Sequence, residues 1–341
     1  MIDCPPLRYE FPMYVNAQRG ISVFTTSINC FTIYCILFRT PKRAGAYKWH
    51  LLWHQVIAAI TDFEMGVVAV PMFILPFTIM VPNGLILQIP IYSPNTMVAS
   101  SILLVTGSLA AVVQLFVYRY LRATGSVKFP FFFKSLITVT YLFFMIPGLA
   151  IFYIFDRHGQ EELMEQLRNN FSCVTVNHTN RPMSIVYDSE KYETFVGLPI
   201  FFINFYFAIV CGLLILSTFR YLQRSTISKR TASLEKKFLC HLMIQVLMPL
   251  IIVHAPGYLL MIVQTRHIYG FEDLGIIGMM SMSVYGAMCG IMIILLTPSY
   301  RCILIRKVKI TSPSIGDNSV NSKILTNLMT SNLVEELEIF V

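Results

Sequence analysis

Apolar residues in this chain gather in long runs. Seven stand out: Ile21–Phe38, Leu51–Phe77, Thr96–Tyr118, Phe131–Phe155, Phe195–Phe219, Leu239–Gln264 and Leu274–Thr297. About 20 apolar residues in a helix cross the hydrocarbon of a bilayer, with some latitude for tilt. The short alternating segments of a membrane barrel are absent. The pattern therefore predicts an all-α membrane protein, a bundle of seven transmembrane helices. The expected organisation is an N-terminal arm over 1–19, a membrane domain over 20–297 and a tail over 298–341. The arm has no charged segment directly before an apolar core and no small-residue cleavage site. The first run is accordingly read as a span and not as a signal peptide.

Composition narrows the class further. Of 341 residues, 55% are hydrophobic and only 13% charged, against about 25% charged in a soluble domain. A soluble fold is disfavoured, and disorder is excluded because it needs low hydrophobicity and high charge. Eight cysteines occur without a CxxC pair, so zinc ribbons and thioredoxin-like chemistry have no candidate ligands. His50 and His54 stand four apart, but no Glu completes a metalloprotease motif, and Trp49 and Trp53 mark that level as a membrane interface. No Walker loop, serine elbow or dinucleotide fingerprint is present. An enzyme, a metal site and a cofactor are not expected.

Charge sets the expected orientation. The 1–2, 3–4 and 5–6 loops and the tail hold four, three, six and five Lys and Arg, while the opposite side holds seven in all. Basic loops stay cytoplasmic, so the N-terminus is expected outside. The net charge of +8 follows from this bias, and nucleic acid is not an expected partner. Asn170-Phe171-Ser172 and Asn177-His178-Thr179 are glycosylation acceptors in the long 4–5 loop, which the charge count also places outside. Cys4 and Cys173 share that oxidising side. A disulfide between them and two free or differently paired thiols are equally open readings. Cys302, ahead of a basic apolar stretch with Arg306, Lys307 and Lys309, is a candidate palmitoylation site on a membrane-flanking helix.

Polar residues inside the runs are the candidate chemistry. Asp62 and Glu64 lie within the second run, where a carboxylate costs roughly 2.5–3.5 kcal/mol on insertion. Two positions apart on a helix, they cannot share a face. Asp62 reads either as a conformational switch or as a packing carboxyl, and Glu64 as packing. His254 and Tyr258 share a face of the sixth run, with Pro256 between them and Pro249 before them. A helix kinked there would line an outward cavity together with Asn204 and Tyr285. Ordinary interhelical hydrogen bonding is the alternative reading of these four residues.

Several stretches carry a resemblance. Thr40-Pro41-Lys42 with Tyr47-Lys48-Trp49-His50, Asp62 with Pro71 and Pro76, and Arg119-Tyr120 all contribute. So do Ser228-Lys229-Arg230-Thr231, Gln245-Val246 with Pro249-Leu250, and Pro298 with Tyr300-Arg301. Together they resemble the class H nematode serpentine chemoreceptors of the Str superfamily, and class I of that superfamily is similar as well. The resemblance implies a bundle of the G-protein-coupled receptor type in the plasma membrane of sensory-neuron cilia. It implies a small-molecule chemical ligand and a heterotrimeric G protein, the latter engaged by Arg119, Tyr120, Lys229 and Arg230. Val117-Tyr118 replace the family's acidic and amide residues before Arg119, so pairing with Glu235 across the inner loops is the expected substitute. The rival class is a ligand-gated channel or a transporter of small solutes. The absence of an internal repeat and the direction of the charge bias both speak against it.

The orientation is directly testable. Expressed in a eukaryotic secretory system, the protein should lose mobility-shifting mass on glycosidase treatment, and the Asn170→Gln/Asn177→Gln double variant should show no shift. A C-terminal tag stained on intact cells would overturn the assignment.

Overall fold

The computed structural model describes residues 12–40, 45–74, 79–85, 94–124, 130–157, 165, 184–185, 198–224, 240, 243–244, 247–248, 250–266, 268, 272–297 and 300–301. Its elements are α1 (Pro12–Arg39), α2 (Tyr47–Phe63), β1 (Pro71–Ile74), β2 (Ile79–Pro82), α3 (Pro94–Thr124) and α4 (Pro130–Arg157). Then follow β3 (Ser184–Ile185), α5 (Leu198–Arg224), α6 (Ala255–Thr265), α7 (Glu272–Met282) and α8 (Tyr285–Leu296). Helices lie at all seven expected runs, in the expected order. The seventh run is divided into α7 and α8, bent by 45° at the break.

Two expectations of extent are corrected. The first helix starts at Pro12, well before Ile21. Proline fits a first helical turn because its missing N–H would have no partner there anyway. The run Leu51–Phe77 is not one span. After α2 the chain makes a π-helical turn over Glu64–Val68, in which Ala69 N–H reaches back to the Glu64 carbonyl at 2.7 Å. It then leaves the helix at Val70, whose φ is 41°, and enters β1 at Pro71. A β-branched residue with positive φ is an outlier costing on the order of 1–3 kcal/mol. The Val70 carbonyl accepts Asn83 N–H at 3.2 Å, and the Ala69 carbonyl accepts Gly84 N–H at 3.1 Å. These bonds hold the exit in place. Strand β1 therefore stands where helix was expected, in an antiparallel sheet: Pro71 pairs with Pro82 and Ile74 with Ile79, and β3 adds through Ile79 and Ile185.

Packing centres on α3. Leu109, Val112, Val113 and Phe116 are buried against Phe144 of α4, Ile203 and Phe207 of α5, and Leu51 of α2. The face away from this core is as apolar as the core itself. Phe24, Phe38, Leu142, Phe205 and Ile251 are all mostly exposed, as spans in contact with lipid require. Lipid gives helices no hydrophobic reason to associate, so close approach and polar contact must do that work. The contact of α8 with α1 and α2 shows the first of these. Gly286 and Gly290 form a small-xxx-small pair. A Cβ on Gly286 would meet the Ala58 carbonyl oxygen at 2.5 Å, and one on Gly290 would meet Thr32 Oγ1 at 2.6 Å.

Helix propensity and close packing thus oppose each other at Gly286. Gly286→Ala should destabilise the purified protein by about 1–3 kcal/mol through overpacking. Gly212→Ala, where nothing lies within 4 Å of the added carbon, should stabilise it by up to about 1 kcal/mol. Thermal unfolding in detergent reads both signs, and equal effects would contradict the packing account.

Candidate functional site

The break between α7 and α8 begins as a local conflict. Ser281 and Ser283 turn their hydroxyls back to the carbonyls of Gly278 and Met280, at 2.7 and 2.8 Å. Such bonds compete with the helical ladder and bend it. A new helix then starts at Tyr285, deep among the spans, with Val284 at the N-cap and no capping side chain of its own. The first N–H groups of that helix need acceptors where no water is plentiful.

Asp62 of α2 supplies them. Its Oδ1 accepts Gly286 N–H at 2.7 Å and its Oδ2 accepts Ala287 N–H at 2.8 Å. Asn29 of α1 donates its amide to Oδ2 at 2.9 Å. Gln55 donates to Asn29 Oδ1 at 2.9 Å and to the Gly286 carbonyl at 3.2 Å. The carboxylate sits at the positive end of the α8 dipole, which favours an anion. One side chain thereby caps a helix in another span and ties α1, α2 and α8 together. Glu64 points elsewhere, as its spacing from Asp62 requires: its Oε1 accepts from Ser100 and Ser101 of α3.

The four candidate ligand-binding residues form two groups. Tyr258 of α6 is hydrogen-bonded to Asn204 of α5. Tyr285, the first residue of α8, lies against Ser108 and Cys289 and packs in one cluster with Val253 and Ala58. His254 follows Val253 directly, at the end of a π-helical turn over Leu250–His254. Pro256 has no N–H to return to residue 252, and the turn widens at that point. His254 is buried, and its Nε2 has no partner among the described residues.

At the other end of the bundle Arg119 stacks on Tyr47, its guanidinium carbon 4.0 Å from the ring centroid. Tyr47 in turn stacks on Tyr118. Tyr120 packs against the core cluster. A directional chain lies nearby. Trp53 Nε1 is only a donor and gives to the Tyr141 hydroxyl at 2.8 Å. Tyr141 gives to Gln114 Oε1 at 2.8 Å, and Gln114 Nε2 gives to His50 Nδ1 at 2.6 Å. His50 must then be neutral with its proton on Nε2. It is committed to Gln114 and not to His54, whose ring nitrogens have no partner among the described residues. Beyond the last span, Tyr300 is buried and shares a hydrogen bond with Thr40 at 2.5 Å. Burial pushes its phenol above the ordinary value, and the Thr40 bond opposes this.

Sequence reading found Asp62 but missed its partners Asn29 and Gln55, and also Gln114 and Tyr141. Each is a polar side chain within or beside a run, and the cost of an unpaired amide in lipid was the signal available. Cys4, Asn170, Cys173, Asn177, Lys229, Arg230, Glu235 and Cys302 lie outside the described residues. Among the described residues no group of three metal-ligating side chains occurs.

The model for the serpentine type seven-transmembrane G-protein-coupled chemoreceptors, Srh, matches residues 12–310. No curated protein matches the chain.

The geometry around Asp62 predicts an order of stabilities. Asp62→Ala leaves two backbone N–H groups without an acceptor, at about 1–3 kcal/mol each, whereas Asn29→Ala removes one bond to an otherwise capped carboxylate. Asp62→Ala should lower the unfolding midpoint of the detergent-purified receptor clearly more than Asn29→Ala does. Equal shifts would show that the cap is not what Asp62 contributes.

Proposed function

The chain belongs to the Srh family of serpentine seven-transmembrane chemoreceptors, and from that membership we propose that it detects a small external chemical and signals to a heterotrimeric G protein. The chemical binds between the outer halves of α3, α5, α6 and α8, at Asn204, His254, Tyr258 and Tyr285. The N-terminus faces outward and the basic loops inward, in the plasma membrane of sensory cilia. The observation that carries the coupling is the position of Tyr285. It belongs to the candidate cavity, and the next two residues are the ones whose N–H groups Asp62 holds. A ligand that moves Tyr285 works directly on that cap.

A ligand shifts a two-state equilibrium only by its differential affinity for the two states. The two states here are a capped and a displaced start of α8, with Asp62 as the switch. Displacement of α8 is passed along the chain to Tyr300, which is bonded to Thr40 at the inner end. Arg119, Tyr120, Lys229 and Arg230 form the surface offered to the G protein. Arg119 is held by Tyr47 of α2 in this conformation, so release of α2 also releases Arg119.

The test is a screen of volatile and soluble chemicals in cells carrying a calcium reporter and a promiscuous G protein. For a chemical that activates, Tyr258→Phe and Asn204→Leu should raise the half-maximal concentration about tenfold, the loss of one good polar contact. Arg119→Ala should abolish the response at normal surface level. Unchanged responses in all three variants would overturn both the binding site and the coupling route.

A further inference from the structure

The outer end of the bundle is roofed. Phe73 of β1 packs on Leu260 and Val263 of α6 and near Leu274 of α7. Met80 of β2 packs with Met97 of α3 and Ala69. Met72 and Val81 are buried as well. The sheet therefore bridges α3, α6 and α7 beyond the level of His254, Tyr258 and Tyr285. The Tyr14 hydroxyl of α1 donates to the Pro71 carbonyl at 2.7 Å and pins the roof.

The side wall is open. A cavity of about 480 Å³ lies between α4 and α5, lined by Phe143, Ile146, Phe202, Ile203, Phe205 and Tyr206 among others. Ile146, Phe202 and Phe205 are more than half exposed, at 58%, 55% and 58%, so the cavity faces the lipid. The Tyr206 hydroxyl is already bonded to Thr140 at 2.9 Å, so this cavity presents aromatic faces and alkyl groups. Ile203 belongs both to its wall and to the bundle core. The next residue, Asn204, sits about 100° further round α5, where it meets Tyr258. A wall residue of the lipid-facing cavity thus directly precedes Asn204 in α5.

We propose that the α4–α5 cavity is the entry and holding site for the apolar part of a membrane-dissolved ligand, a lipophilic small molecule with one polar head that passes Ile203 to reach Asn204 and Tyr258. This rests on the ligand site proposed above and names the chemical class it takes. A charged ligand is disfavoured on this path, because the wall offers nothing to replace its hydration. An uncharged head loses less water and regains a hydrogen bond from Asn204 or Tyr258.

The experiment uses the full chain in lipid vesicles and, as probe, a medium-chain alcohol carrying a diazirine on its alkyl end. Irradiation should label peptides containing Phe143 and Ile203–Tyr206, and an excess of the unlabelled alcohol should compete the label away. Ile146→Trp and Ile209→Trp change lipid-exposed positions and should cut the competed label about tenfold, because the indole takes the space the alkyl chain needs. Labelling that is not competed is mere contact with bulk lipid and overturns the proposal. Equal labelling in the tryptophan variants overturns it too, as does equal labelling by a membrane-impermeant sulfonated analogue added outside. Signalling is not read, so the two proposals can fail separately. Competed label in the groove, alongside unchanged responses in Asn204→Leu and Tyr258→Phe, keeps the groove and removes the inner site.

Discussion

The arrangement of the first, second and seventh spans depends on one carboxylate accepting two backbone N–H groups from a helix that begins inside the membrane. A helix broken among apolar neighbours leaves donors that lipid cannot satisfy, and each would cost a few kcal/mol. Asp62 meets that need from a different helix. In return it gains hydrogen bonds and the field of a helix N-terminus, which offset the cost of placing a carboxyl there. The break and the carboxyl make each other tolerable. Gly286 and Gly290 follow from the same contact, because the N–H groups reach Asp62 only if α8 lies directly on α1 and α2.

The remaining polar side chains follow a similar rule at lower stakes. Glu64 is placed on α3 through two serines. The chain from Trp53 through Tyr141 and Gln114 to His50 joins α2, α3 and α4, and its direction is set by an indole that can only donate. Interhelical bonds of this kind are worth only about 0.6–2 kcal/mol each in a membrane. Their value lies in geometry: they fix which faces meet where lipid and core are equally apolar. Arg119 obeys the same logic, covering its charge with the Tyr47 ring.

The β-sheet matters for how a ligand could arrive. Pro71 and the positive φ of Val70 end the second helix early, and the residues released from it become a roof anchored on α3, α6 and α7. Its presence turns attention from the aqueous mouth to the cleft between α4 and α5. There aromatic side chains line a cavity toward the bilayer.

Hydropathy along the chain was enough to determine class, number of spans and order, because crossing a bilayer demands a length of apolar helix that no local alternative imitates. The distribution of Lys and Arg set the expected orientation. The short motifs around Asp62, Arg119 and Tyr300 pointed to the family that the comparison of residues 12–310 establishes. The separation of Asp62 from Glu64 was also legible, since two residues on a helix face nearly opposite ways. Tertiary structure alone decided the rest. Leu51–Phe77 reads as uniformly apolar, yet it divides into helix, π turn and strand, because hydropathy does not distinguish an apolar strand covered by neighbours from an apolar helix. Asn29 and Gln55 look like isolated polar residues until helices distant in sequence bring them to Asp62. The seventh run shows no proline to mark its break. Whether Ser281, Ser283 and Gly286 bend a helix or merely line it depends on an acceptor being there to receive the freed N–H groups, and that acceptor lies more than two hundred residues away in the chain.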